Sequence, residues 1–244
     1  MTKKMMTVVA ALGLTISVSG SVHATQLITN GGFETLTNGA GQMGYNTDAT
    51  GWYTEGYNFV FTQPADTVGA NGLYNNLKLW GPGTGSANGL TSSPTGGNYV
   101  GADGAFSVGA INQNVSGLIA GHTYALSFDW AAAQQSGYDG DTTEQWVVSL
   151  GGDTQSTTIE SLASHDFSGW KHETFNFTAT SGSEVLSFLA NGTPDGVPPF
   201  ALLDGVSMTD VSAVPEPSSL AAMFAGVLGL GAIVRRRRSK KSAA

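Results

Sequence analysis

The chain contains no cysteine, so no disulfide holds any part of it, even in an oxidising compartment where one could form. Basic residues are almost as scarce through its middle. Between Thr25 and Val214 the cations are Lys78 and Lys171, against 17 carboxylates, which leaves a net charge of −15. Phosphate binding rests on Lys and Arg, so this balance excludes nucleic acid as a partner. It also repels anionic membranes and acidic polysaccharides unless divalent cations intervene. Histidine is rare too. With His23 near the N-terminus, His122, His165 and His172 remain, none beside a Gly-x-Ser-x-Gly elbow or a His-Glu-x-x-His motif. Nucleophile-type and zinc-type hydrolysis therefore have no local signature, although the many carboxylates leave a glycosidase pair possible in principle. Sustained helical periodicity is also missing between Thr25 and Val214.

What is present begins at the two ends. Lys3 and Lys4 precede an apolar run from Val8 to Val18, and Val22-His23-Ala24 offers small residues at the positions a signal peptidase reads. Residues 1–24 are expected to be a signal peptide cleaved before Thr25. At the other end, Val214-Pro215-Glu216-Pro217-Ser218-Ser219 leads into an apolar run from Leu220 to Val234, closed by Arg235-Arg236-Arg237-Arg238. Two prolines two apart keep the chain extended, so a helix begins only after them. The span from Ser218 to Val234 makes about 25 Å of helix at roughly 1.5 Å per residue. That is the short limit for crossing a bilayer, helped by arginines that reach the headgroups. Both charged ends point to the cytoplasm, which places the middle of the chain outside the inner membrane.

The Pro215-Glu216-Pro217 triplet, the short Gly- and Ala-rich apolar helix and the Arg235 to Arg238 cluster together resemble the PEP-CTERM sorting signal. The resemblance covers about a tenth of the chain. It implies an exosortase that recognises the triplet and removes the helix, and export to the surface or extracellular matrix of a Gram-negative bacterium. The expected organisation is a signal peptide over 1–24, an exported domain over 25–212 and a Pro-Glu-Pro linker over 213–219. A single transmembrane helix with its arginines follows over 220–238, and a basic cytoplasmic tail over 239–244.

Inside the exported domain, strict alternation appears repeatedly. Tyr124, Leu126, Phe128 and Trp130 share one face, with Ala125, Ser127 and Asp129 on the other. Trp146, Val148 and Leu150 repeat the pattern, as do Phe175 and Phe177, then Leu186, Phe188 and Ala190. This is the period-two signal of half-buried strands. Many short strands between glycine-rich turns predict an all-β sandwich with one core. Ala40 to Thr50 and Gly81 to Gly97 are polar and glycine-rich, and are expected to be long loops.

An ordered series of phrases resembles the jelly-roll domains of carbohydrate-binding modules and galactose-binding proteins. It opens with Leu27-Ile28-Thr29-Asn30-Gly31-Gly32-Phe33-Glu34 and Gly51-Trp52, and continues through Gly97-Asn98-Tyr99-Val100 and Ala120-Gly121-His122-Thr123-Tyr124. It closes with Leu202-Leu203-Asp204-Gly205-Val206. In such domains the first and last of these phrases lie side by side as strands and often share a structural calcium ion. The resemblance implies Glu34 and Asp204 as its acidic ligands, with Gly205 where many relatives carry a second acid. The same two residues fit ordinary turn and strand-edge positions equally well. The Asp139, Asp141 and Glu144 cluster lacks the later glutamate of a calcium loop and is expected to be a solvated connection.

Sugars stack on aromatic rings while amides and carboxylates take their hydroxyls. Trp52, Tyr53, Tyr57, Tyr74, Trp80 and Tyr138 fall outside the alternating pattern. Tyr74, Asn75, Asn76 and Trp80, beside a glycine-rich loop, form the expected ligand site. The favoured function is a non-enzymatic surface protein of the biofilm or envelope matrix that binds polysaccharide. A structural or adhesive protein with no sugar site is the alternative, and a hydrolase on the same fold a third.

Overall fold

The structure, a computed structural model, describes residues 25–212. The expected signal peptide, sorting motif, transmembrane helix and tail lie outside the described residues. No helix among the described residues is long and apolar enough to cross a membrane.

Thirteen strands build the domain: β1 (Gly41–Gln42), β2 (Asn58–Phe61), β3 (Ala70–Gly72), β4 (Asn75–Leu77), β5 (Tyr99–Asp103), β6 (Ile111–Ser116) and β7 (Thr123–Gln134), then β8 (Thr142–Leu150), β9 (Asp153–Ser156), β10 (Glu160–Leu162), β11 (Lys171–Thr178), β12 (Ser183–Thr193) and β13 (Pro199–Asp210). Eight of them form one sheet in the order β11-β7-β13-β5-β2-β1-β3-β4. The second sheet runs β10-β8-β12-β6, with β9 also paired to β8. The β1–β3 pair is parallel, and the other neighbours are antiparallel. Two packed sheets make a jelly-roll β-sandwich, as the alternation predicts.

The alternating residues fill the space between the sheets. Leu126, Phe128 and Trp130 of β7 meet Trp146, Val148 and Leu150 of β8 and Leu186, Phe188 and Ala190 of β12 in one buried cluster. Phe188 stands at its centre, with ring centroids 5.2 Å from Phe128, 5.9 Å from Trp146 and 6.3 Å from Trp52. A one-residue slip of any strand would turn this set outward, so the core fixes the register.

The opposite face of the large sheet is also buried. Phe59 and Phe61 of β2, Tyr99 of β5, Ala131 and Ala133 of β7, and Phe200 and Leu202 of β13 form a second cluster. Leu77 of β4 joins them, and Leu79, Phe167 and the half-buried Leu90 and Trp170 cover the cluster from the connections. The Gly81 to Gly97 segment is a loop as expected, with one 3-10 turn at Pro82–Thr84. The Ala40 to Thr50 segment is not simply a loop: it holds β1, and Met43 and Ala49 are buried in the first cluster. Two residues are too few to show a period, so the sequence carries no strand signal there.

The opening phrase departs from expectation more informatively. Leu27 to Glu34 runs beside β13, with Leu27 N–H donating to the Met208 carbonyl (3.1 Å) and Val206 N–H to Gly31 (3.0 Å), yet it is not a strand. Asn30 (φ 52°) and Phe33 (φ 56°) adopt left-handed backbone, which breaks the ladder. A Cβ at Gly31 would collide with the Val206 carbonyl, so this close approach requires glycine.

Candidate functional site

A cleft of about 220 Å³ opens at one end of the large sheet's outer face. Tyr57, just before β2, Tyr74, in the β3–β4 hairpin, and Phe106, just after β5, form its aromatic wall. Asp103, the last residue of β5, lines it, as do Gln135 and Tyr138 after β7 and Asp195, Gly196 and Pro198 before β13. The rings pack as a triad, with Tyr57–Phe106, Tyr57–Tyr74 and Tyr74–Phe106 centroids 5.3, 5.9 and 5.9 Å apart. Tyr57 is held from below, edge-on to Phe59 at 4.6 Å. It is buried, whereas Tyr74 and Phe106 are 58% and 42% exposed. The three planes are mutually inclined, by 46° to 88°, so the rings make a faceted wall whose two outer members are exposed to solvent.

Asp103 gives the cleft its polar floor. Its Oδ1 accepts the N–H groups of Ala105 and Phe106, both at 2.9 Å, which turns the chain sharply at the end of β5 and sets Phe106 in place. Its Oδ2 is buried and has no partner. Burial pushes this carboxyl up to about 6, against the pull of the two amides, and Asp195 adds to the rise. The Tyr57 hydroxyl is raised as well, by burial and then by Asp103. Two more open hollows, of about 370 and 360 Å³, offer no aromatic residue in one case and Tyr53 alone in the other.

The expected ligand residues divide. Tyr74 lines the cleft. Asn75 and Asn76 are exposed on β4, Asn76 paired with Asn71, and neither lines it. Trp80 stands behind the site: its ring stacks on His165 at 3.9 Å, and its Nε1 donates to the Tyr138 carbonyl at 2.9 Å. It positions Tyr138 rather than facing the cleft. Trp52 is a core residue, its Nε1 donating to the Asn30 carbonyl at 3.0 Å. Phe106, Asp103, Gln135 and Asp195 were not legible as site residues. The Asp103-Gly-Ala-Phe106 turn was the available signal, an aspartate two residues before an amide it could accept.

Glu34 and Asp204 both flank Gly32, where an added Cβ would stand 3.9 Å from Glu34 Cγ and 3.8 Å from Asp204 Oδ1. Asp204 is fully buried, and its Oδ2 accepts the hydroxyls of Ser93 and Thr95, while its Oδ1 has no partner. Burial raises its pKa to about 6, the two hydroxyls oppose that, and Glu34 adds to it. Glu34 Oε1 accepts the Asn98 N–H at 2.7 Å, and Asn98 Nδ2 donates to the Phe33 carbonyl at 3.1 Å. Where a second acid was expected, Gly205 takes φ +60° in the bulge of β13, and its Cβ would stand 3.1 Å from Asp129 Oδ2. Asp129, the cross-strand partner of Asp204, thus brings a further acid close by, although its Oδ1 holds His172 Nδ1 at 2.8 Å. Among the described residues no three metal-ligating side chains converge, so an ion here would depend on backbone carbonyls for most of its shell. The orphaned Asp204 oxygen beside a second acid fits such an ion.

The Asp139, Asp141 and Glu144 cluster does not converge. Asp139 Oδ1 pairs with His165 Nε2 at 2.6 Å, and Asp141 accepts the Ser164 N–H at 3.1 Å. Glu144 is not solvated: it belongs to β8 and is buried, taking the Thr142 hydroxyl at 2.5 Å. Burial raises it to about 8.

No curated protein matches the chain. Among solved structures, it is similar to TmCBM61 in complex with β-1,4-galactotriose at 14% identity, covering 77% of this chain and 99% of that one with a TM-score of 0.38. It is similar to the CBM22-1 xylan-binding domain of Xyn10C from Paenibacillus barcinonensis at 14% identity, covering 80% and 100% with a TM-score of 0.40. A third likeness is the K1 cleaved adhesin domain of Lys-gingipain from Porphyromonas gingivalis W83, at 12% identity, covering 72% and 98% with a TM-score of 0.40. Residues 213–238 match the PEP-CTERM protein-sorting motif, so the chain carries that motif over the stretch that holds Pro215, Glu216, Pro217 and Arg235 to Arg238.

Proposed function

We propose that this is an exported, exosortase-processed surface protein whose β-sandwich binds polysaccharide without catalysis, in the cleft floored by Asp103. The observation that carries the binding assignment is the exposed pair Tyr74 and Phe106 seated on buried Tyr57, beside an Asp103 oxygen that lacks a partner. An exposed aromatic ring with an adjacent acceptor suits a sugar ring, whose C–H face stacks while a hydroxyl donates. At about 220 Å³ the cleft is smaller than the ~300–1,000 Å³ of pockets that enclose drug-sized ligands. It suits a terminal or branching residue rather than a chain laid along a groove. Export is supported by the sorting motif over 213–238 and by the signal-like N-terminus.

Glu34 and Asp204 would hold a structural calcium ion. It would tie the opening segment to β13 and supply the counter-charge that the buried Asp204 carboxylate lacks.

Titration of the full-length protein in detergent against a polysaccharide panel, with product analysis, tests the binding function. Saturable binding with the glycan left intact is expected. No binding by folded protein, or cleavage of a glycan, would contradict it. For sorting, replacing Pro215, Glu216 and Pro217 with alanine is expected to leave an uncleaved inner-membrane form, and normal tail removal would contradict the assignment.

A further inference from the structure

The cleft has an unbalanced charge. Asp103 and Asp195 both line it, and no Lys, Arg or His does. Asp103 is 1% exposed, and its Oδ2 has neither a hydrogen-bond donor nor a counter-charge. A neutral sugar could give that oxygen one hydroxyl proton, but would leave an ionised carboxylate buried and uncompensated, the costlier half of the problem. Tyr57, Tyr74 and Phe106 line the same cleft, and aromatic ring faces carry the negative end of the quadrupole. Carboxylates and ring faces favour the same kind of occupant, a soft, partly desolvated cation. A divalent metal does not meet this description, since it wants six or more oxygens and gains nothing from rings. The −15 charge of the exported residues would further steer a cation toward the domain.

We propose that the cleft selects a glycan residue with a free primary ammonium, a de-N-acetylated amino sugar, whose ring stacks on Tyr74 while Asp103 and Asp195 take the ammonium. The proposal rests on the assignment of the cleft as a glycan site and names the class of glycan. An acetylated amino sugar has the same ring but no charge, so it should lose the carboxylates' contribution while keeping the stacking.

The test is calorimetric titration of the full-length protein in detergent, at a pH where the amine is protonated. Four probes are compared: a β-1,4-linked glucosamine tetrasaccharide, its N-acetylated form, β-1,4-galactotetraose and tetralysine. The glucosamine oligomer is expected to bind saturably and at least about tenfold more tightly than the acetylated one, the equivalent of about 1.4 kcal/mol. Asp103→Asn could disturb the turn at Ala105, so the exposed loop residue Asp195 carries the test of charge. Asp195→Asn and Tyr74→Ala should each weaken binding several-fold. Asp153→Asn, the same charge change at an exposed position on β9, should leave it unaltered. Equal affinity for the acetylated or neutral oligomer would overturn the ammonium assignment and leave the glycan function standing. An equal loss in Asp153→Asn would overturn it too, by showing attraction to the acidic surface at large. Tetralysine binding as tightly as the glucosamine oligomer would overturn the glycan class. Failure of every tetrasaccharide to bind would overturn this proposal and the proposed function together.

Discussion

The two faces of the large sheet are both buried, but they are buried differently. The inner face meets a second sheet and is lined by Leu126, Phe128, Trp130, Leu203 and Met208. The outer face meets connections, and among its apolar residues it holds Asp103 on β5, Asp129 on β7 and Asp204 on β13. The large sheet's inner face buries no acid of its own, while the sheet facing it buries Glu144 and Glu184 in phase with its core residues. A face covered by loops can bury acids, because loop hydroxyls and amides such as Ser93, Thr95, Ala105 and Phe106 turn toward them. The inner face holds the protein together, and the outer face is where the proposed recognition site lies.

The sharpest way to break that division is at its centre. Phe188→Ala should cost about 3–5 kcal/mol, a large share of the ~5–15 kcal/mol that holds a domain folded, measured by denaturant unfolding. A loss under 1 kcal/mol would mean that the inner face is not the main source of stability.

Calcium sharpens the outer side. If Glu34 and Asp204 hold an ion, calcium at about a hundred times its dissociation constant should add ~2.7 kcal/mol, or roughly 5–10 °C of melting temperature. Asp204→Asn should abolish most of the shift, and an unchanged melting curve in the wild type would remove the ion from the account.

The pH dependence separates buried acids from ordinary ones. Asp103 and Asp204 rise from 3.8 to about 6, and Glu144 from 4.5 to about 8. In each case the folded form keeps a proton that the unfolded form has released, so the stabilisation is complete below the unfolded value and is lost as pH rises through the folded one. In chelator, the melting temperature should therefore fall by several degrees between pH 5 and pH 8. The lowered Asp210 acts in the opposite direction, but only below this window. Glu144→Gln should flatten the curve between about pH 6 and pH 8. A midpoint that rises across the window would show that these acids are ionised and paired in the folded protein.

How much of this was legible follows the same division. Strands β7, β8, β11 and β12 announce themselves because a run on one face of each is apolar and the period is two. The short strands β1, β3 and β4 are too brief to show it. Tyr74 could be picked out as a ring outside the alternation, but its partners come from positions 57, 103, 106, 138 and 195, and only the sheet order brings these together. Trp80 was chosen for the same reason as Tyr74, yet its indole is taken up by His165 and the Tyr138 carbonyl. Glu34 and Asp204 lie 170 positions apart, and it is the resemblance to jelly-roll domains, rather than spacing, that paired them.

The smallest effect on stability should accompany the largest effect on binding, and one paired measurement tests this. Tyr74→Ala and Phe106→Ala remove exposed rings, so the unfolding free energy of the double variant should stay within about 0.5 kcal/mol of wild type, while saturable glycan binding falls at least about tenfold. A variant that melts normally and still binds glycan with full affinity would contradict the central claim that the outer-face cleft is the recognition site.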